Sequence, residues 1–276
     1  MTSFRHLLSR TRGQSQGAIT RLIDPYVLGE KLKPFVFLDY FEARVQPGFG
    51  FGMHPHSGLA TLTWQPHTDV RYHDTTGQSG VLPAGGVEWM NAGGGAWHRG
   101  HLLGQGMAKG IQLWVAMPPE IEEATAVGLY IPPAAVPLQA LPDGQMRVLL
   151  GRYGNSGSSI PAHQDMFCGV LELRNATEYH VEVPSGHDVC WACLFEGQAM
   201  IAGVRASRAE LLVLGGAGRI KVKTSGPAAV LIGTAKRHEF PLVLGGSSVH
   251  TNPKSLMRSQ HRIRQLGREL AQAGQL

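Results

Sequence analysis

The sequence predicts an all-β protein made of two antiparallel barrels in tandem, closed by a short C-terminal helix. Three observations predict it. Thirty-six glycines and 17 prolines punctuate 276 residues that are 43% hydrophobic and only 16% charged, the profile of a turn-rich globular chain. Short apolar runs alternate with Gly, Pro, Asn and Asp clusters, as strands alternate with tight turns. The pattern breaks once, near the middle, at a proline-rich stretch, and each half is long enough to bury its own core.

Taken in order, apolar runs at 35–40, 59–64, 70–73, 80–82 and 110–117 read as strands of a first barrel, with Pro83-Ala84-Gly85-Gly86 and Gly93-Gly94-Gly95 as turns between them. Pro132, Pro133, Pro137 and Pro142 then mark a connection. A second series at 146–150, 167–173, 179–183, 190–195, 211–214, 220–222 and 228–234 reads as a second barrel. The expected division is therefore a first barrel over 1–130, a linker over 131–145, and a second barrel over 146–276 that carries the helix. For that helix, Asn252-Pro253 supplies an N-cap and a first-turn proline, and Leu256, Ile263, Leu266 and Leu270 recur near helical spacing. Arg258, Arg262, Arg264 and Arg268 are expected to form its solvated face.

The net charge of +5 sits at the ends of the chain. Residues 1–21 carry Arg5, Arg10, Arg12 and Arg21 without an acid, and residues 253–276 carry five basic residues against Glu269, which leaves 16 basic and 19 acidic residues between them. Such a body offers no basic stripe to a phosphate backbone, so direct nucleic-acid binding is not expected. No run approaches the ~18 apolar residues that span a bilayer, so no membrane partner is expected either. Three cysteines, Cys168, Cys190 and Cys193, are an odd set that fits a reducing, cytoplasmic setting rather than a disulfide framework. Cys190 and Cys193 are three apart in an apolar strand, so their thiols point to opposite faces and read as core.

Six of the 13 histidines fall between residues 54 and 101. His54-Pro55-His56 places two imidazoles on one face of an extended strand, about 7 Å apart along the chain, within reach of one ion. His98 from another strand would complete a set of three neutral nitrogens suited to iron, copper, nickel or zinc. An ordinary set of hydrogen-bonded histidines is the competing reading. His67 and His73 lack a matching spacing and read as surface residues. Gln112 and Trp114 share one strand face, where they would line the pocket mouth or pack. Glu88 is the nearest acid in the sequence, but no spacing brings it to the histidines, and it reads as a solvent-facing strand residue.

Gly50-Phe51-Gly52-Met53-His54-Pro55-His56-Ser57-Gly58, the run from Gly80 to Gly93, and His98 resemble the signature of the pirin family, with further likeness at 34–40 and 110–115. The resemblance implies a bicupin, two cupin-type barrels of which the N-terminal one binds a metal. That metal would be Fe(II), with Ni, Cu, Zn or Mn as alternatives. It also implies either dioxygenase cleavage of flavonols of the quercetin type, on a small aromatic or enolic substrate, or metal-dependent contact with a regulatory or metabolic protein partner. A degenerate cupin without metal is a third possibility. Pirins carry a metal-binding glutamate two residues after the third histidine and another acid in the His-Pro-His pattern. Here those positions are Gly100 and Ala60. His101 is the expected substitute as fourth ligand, through a bulge or turn, and no catalytic residue is assigned.

Overall fold

A computed structural model describes residues 3–46 and 48–276. It is predominantly strand, and its contacts divide it into two compact units.

The unit that carries the histidines comprises residues 17–19, 23–135 and 238–276. Its strands are β1 (Phe35–Val45), β2 (Gly50–His56), β3 (Leu59–Trp64), β4 (Val70–Asp74), β5 (Ser79–Leu82), β6 (Val87–Asn91), β7 (Ala96–Leu102), β8 (Gly106–Ala116) and β9 (Val127–Ile131). In one sheet they stand in the order β9-β6-β3-β8-β1, and in a smaller one β2-β7-β4-β5, all antiparallel. β6 is buried along its whole length and β1 along most of it, and only residues 35–38 of β1 read as an unbroken apolar run.

The other unit comprises residues 3–16, 20–22 and 136–237. A seven-stranded sheet places Val189–Glu196 between Leu211–Gly215 and Ala228–Ala235, over a core that includes Val148, Leu171, Cys190, Leu212 and Ile232. All three cysteines are free and buried.

The division differs from the sequence reading at both ends of the chain. The N-terminal strand His6–Thr11 pairs antiparallel with Leu211–Gly215 and so belongs with the C-terminal barrel. Arg10 anchors it by donating from Nε and Nη2 to the two carboxylate oxygens of Glu210, at 2.8 and 2.6 Å. Its side chains are mostly exposed, so it gives no apolar signal. From His238 onward the chain instead belongs with the first unit. There the segment before the helix forms a bridge between Ser248 and Ser57, and the Val249 N–H donates to the Ser57 carbonyl at 3.1 Å.

The helix α1 (Pro253–Gln272) starts as expected, with the Asn252 side chain accepting from the Ser255 N–H at 2.9 Å. It runs for 20 residues. Ser255, Ser259, Ile263, Gly267 and Leu270 are its buried positions. It lies against β7, where Trp97 Nε1 donates to the Ile263 carbonyl at 3.0 Å. Gly267 permits that approach, since a Cβ there would fall 2.8 Å from Trp97 Cζ2. Of the arginines on the exposed face, Arg258 is bound by Glu123, and this pairing holds the Glu123 carboxyl down to about 2.

Candidate metal centre

His54 and His56 flank Pro55 on β2 and therefore share a face. β2 pairs antiparallel with β7 in a register that sets His98 opposite His54 and Ala96 opposite His56. The third imidazole is thus brought in by strand pairing. The three rings lie 4.4 to 5.2 Å apart between centroids, and one nitrogen from each comes within 4.8 Å of the others, a group able to hold a metal ion.

Each ring is oriented by its other nitrogen. His54 Nδ1 donates to the Gly52 carbonyl at 2.7 Å, His56 Nδ1 to the Ser247 carbonyl at 3.0 Å, and His98 Nδ1 to Glu88 Oε1 at 2.8 Å. With the proton on Nδ1, each Nε2 keeps its lone pair. The Nε2 atoms of His56 and His98 are buried with no hydrogen-bond partner among the described residues. Buried polar atoms rarely go unmatched, so this arrangement fits an ion bound through Nε2. Burial is the main force that holds His54 neutral, lowering it to about 4, and His98 adds to the effect. His56, 1% exposed, is lowered well below the usual imidazole value for the same first reason. Neutral imidazole is the ligating form.

A cavity opens beside the rings, lined by His54, His98, Glu88, Gly100, Thr63, Gln65 and Gln112, with Phe41, Phe51, Val70 and Leu102 as its apolar part. His98, Gly100 and Leu102 line it because alternate residues of β7 face inward. His101 is out of phase with them, pairs across the backbone with Gly50 and Arg71, and is not brought to the three-histidine group. The expected fourth imidazole therefore lies on the other face of the strand. The bulge that does occur falls between His98 and Gly100 in the β2–β7 pairing, while β7 stays regular against β4. Gly100 is on the cavity side, and a Cβ there would meet only Val70 Cγ1, at 3.2 Å. Ala60, the other departure, is fully buried opposite Asn91 and Val115.

Glu88 overturns the solvent-facing reading. It is 7% exposed and bound to His98, the kind of outer partner that fixes a ligand ring and raises its basicity. Every residue of β6 is buried, so no polar alternation marked Glu88 as inward. Of the two residues expected at the pocket mouth, Gln112 lines the cavity, while Trp114 packs, stacked on Phe37 at 4.0 Å and edge-on to His56 at 4.9 Å. His67 is exposed and His73 half-buried, away from the cluster. Ser247 had no sequence signal, because it acts through its backbone carbonyl.

The sequence pattern of the Pirin family matches residues 16–115. A Pseudomonas aeruginosa protein provisionally named a quercetin 2,3-dioxygenase is 30% identical over 276 residues, covering 90% of this chain and 93% of the relative. A pirin-like protein of Caulobacter vibrioides is 28% identical over 268 residues, covering 92% and 96%. Among solved structures, quercetin 2,3-dioxygenase from Acinetobacter baumannii matches with a TM-score of 0.85 at 22% identity, over 94% of this chain and 96% of that one. The bacterial pirin YhhW from Escherichia coli, in complex with nickel(II), matches with a TM-score of 0.65 at 21% identity, over 86% and 100%. The chain belongs to the pirin family, and its fold is that of a bicupin. Among the described residues no helix is long and apolar enough to cross a membrane.

Proposed function

We propose that this protein is a metal-dependent dioxygenase that uses Fe(II) and acts on an enolic substrate, of which flavonols of the quercetin type are the leading case. The observation that carries the reading is the convergence of three imidazoles whose Nδ1 atoms are all tied down. The names borne by the relatives support the reaction class. His54, His56 and His98 would hold the ion through Nε2, and the ion when bound supplies Lewis acidity and redox chemistry toward dioxygen. Glu88 holds the proton on His98 Nδ1 and lines the cavity, which makes its carboxylate the residue available to take an enol proton. Phe41, Phe51, Val70 and Leu102 supply the cavity's apolar lining.

A second reading, a metal-dependent interaction protein without turnover, draws on one observation. The cavity leaves only about 30 Å³ for the centres of water-sized molecules, far below the roughly 300 Å³ of ordinary small-molecule sites. Oxygen consumption by the iron-loaded protein with quercetin, compared with His56→Ala, decides between them. Consumption above that of the variant supports the dioxygenase. Its absence, with iron retained, supports the interaction protein.

A further inference from the structure

Two polar side chains that line the cavity have no role in holding the histidines. Thr63 Oγ1 and Gln65 Oε1 are both buried and without a hydrogen-bond partner among the described residues. Thr61 Oγ1 shares that condition but does not line the cavity, so the feature of interest is the pair. Thr63 lies in register with Gln112 on β8 and with Glu88 on β6. Asp39 on β1 faces Gln112 in turn, so Asp39, Gln112, Thr63 and Glu88 form one polar row across the sheet, with Thr61 and Gln65 two residues to either side of Thr63. Unmatched buried polar atoms beside a cavity are accounted for by what enters it.

We infer that Thr63 and Gln65 orient the substrate, and that the group they recognise is a compact hydroxycarbonyl: one O–H and one C=O on adjacent carbons. The hydroxyl of Thr63 donates to the carbonyl, and the amide oxygen of Gln65 accepts from the O–H on binding, before that proton is given up to Glu88. An enolic α-hydroxyketone presents this pair of functions in one small unit. The inference rests on the dioxygenase reading above, whose enolic substrates already carry this group, and adds the two residues that position it. The small free volume admits the hydroxycarbonyl head alone. The body of the ligand would lie against the apolar rim, where Phe51 is 39% exposed.

The test uses the full chain loaded with Ni(II), without turnover, and calorimetric titration with maltol, a ring that carries the hydroxycarbonyl head and little else. Its O-methyl ether, which lacks the donor, is the second probe. Thr63→Val and Gln65→Leu are each expected to weaken maltol binding about 10-fold, with metal content unchanged. Thr63→Ser keeps the hydroxyl and should restore affinity. The ether should bind the native protein weakly and lose nothing further in Gln65→Leu. Variants that retain their metal and bind maltol as the native protein does would overturn the inference, as would an ether that binds as well as maltol. If native protein retains no metal, the metal reading fails, and this inference fails with it. Metal analysis before titration separates the two failures.

Discussion

Glu88 Oε1 lies 2.8 Å from His98 Nδ1, with both side chains buried. β6 and β7 are not neighbours in either sheet. The contact therefore reaches from one sheet of the barrel to the other and fixes the third imidazole, on β7, against a carboxylate from β6. Glu88→Gln or Glu88→Ala should weaken metal binding by about 10- to 100-fold, as loss of an outer partner commonly does, with Gln milder than Ala because it retains an acceptor. Competition titration against a chelator measures this. Equal affinity in all three proteins would remove Glu88 from the metal centre.

The placement of the two nearby histidines gives a paired test. His56→Ala removes one of three converging nitrogens and should abolish metal retention through purification without a His-tag. His101→Ala, on the opposite face of β7, should leave metal content as in the native protein. Equal loss in the two variants would contradict the register.

Gly100 lines the cavity, and a Cβ there meets only the Val70 side chain, at 3.2 Å, which would have to give by a few tenths of an ångström. Gly100→Glu should place a carboxylate near the imidazoles, offset part of the ion's charge, and raise affinity for Fe(II) or Ni(II) by roughly 10-fold. Unchanged affinity in the folded variant would mean that the side chain turns toward the mouth instead.

Burial raises the thiols of Cys168, Cys190 and Cys193 to about 12, which leaves almost no thiolate near neutral pH. A thiol reagent at pH 8 should modify none of them in the native protein and all three after denaturation. A Cys190–Cys193 disulfide found by non-reducing digestion would also defeat this account.

The metal-free protein should be acid-sensitive in a defined window. His54 is held to about 4 by burial first. His238 is held to about 4 by burial and then by the Lys33 charge. Below about pH 6.5 the unfolded chain binds protons that the folded chain refuses, so stability present above that pH is lost as pH falls toward 4. Melting temperature should fall across this interval, and His238→Gln should flatten the slope. A midpoint that is constant between pH 7 and 4.5 would show these rings to be protonated in the fold.

Much of this was readable from spacing. His54 and His56 follow from the two-residue period of a strand, and the capped helix follows from Asn252 and Pro253. The partners that complete the site were not readable. Glu88 sits in a strand buried on both faces, where periodicity gives no direction. Ser247 contributes only a carbonyl, which any residue has. His101 looked available because its neighbour glycines permit a bulge, yet β7 runs regularly against β4 at that point, and regular pairing sends alternate residues outward. The ends of the chain were misassigned for a related reason: an exposed edge strand and a polar return segment carry no apolar pattern that names their unit.

The bond from His56 Nδ1 to the Ser247 carbonyl joins residues 191 apart. During synthesis at about 5–20 residues per second, Ser247 follows His56 by roughly 10–40 s. All three imidazoles of the group have left the ribosome by then, but the support of one of them has not been made. A nascent chain stalled before Ser247 should therefore hold metal loosely and exchange it freely. If the three imidazoles hold an ion, loose exchange would come first and tight loading would wait for Ser247, by which point residues 136–237 of the second unit have already been made.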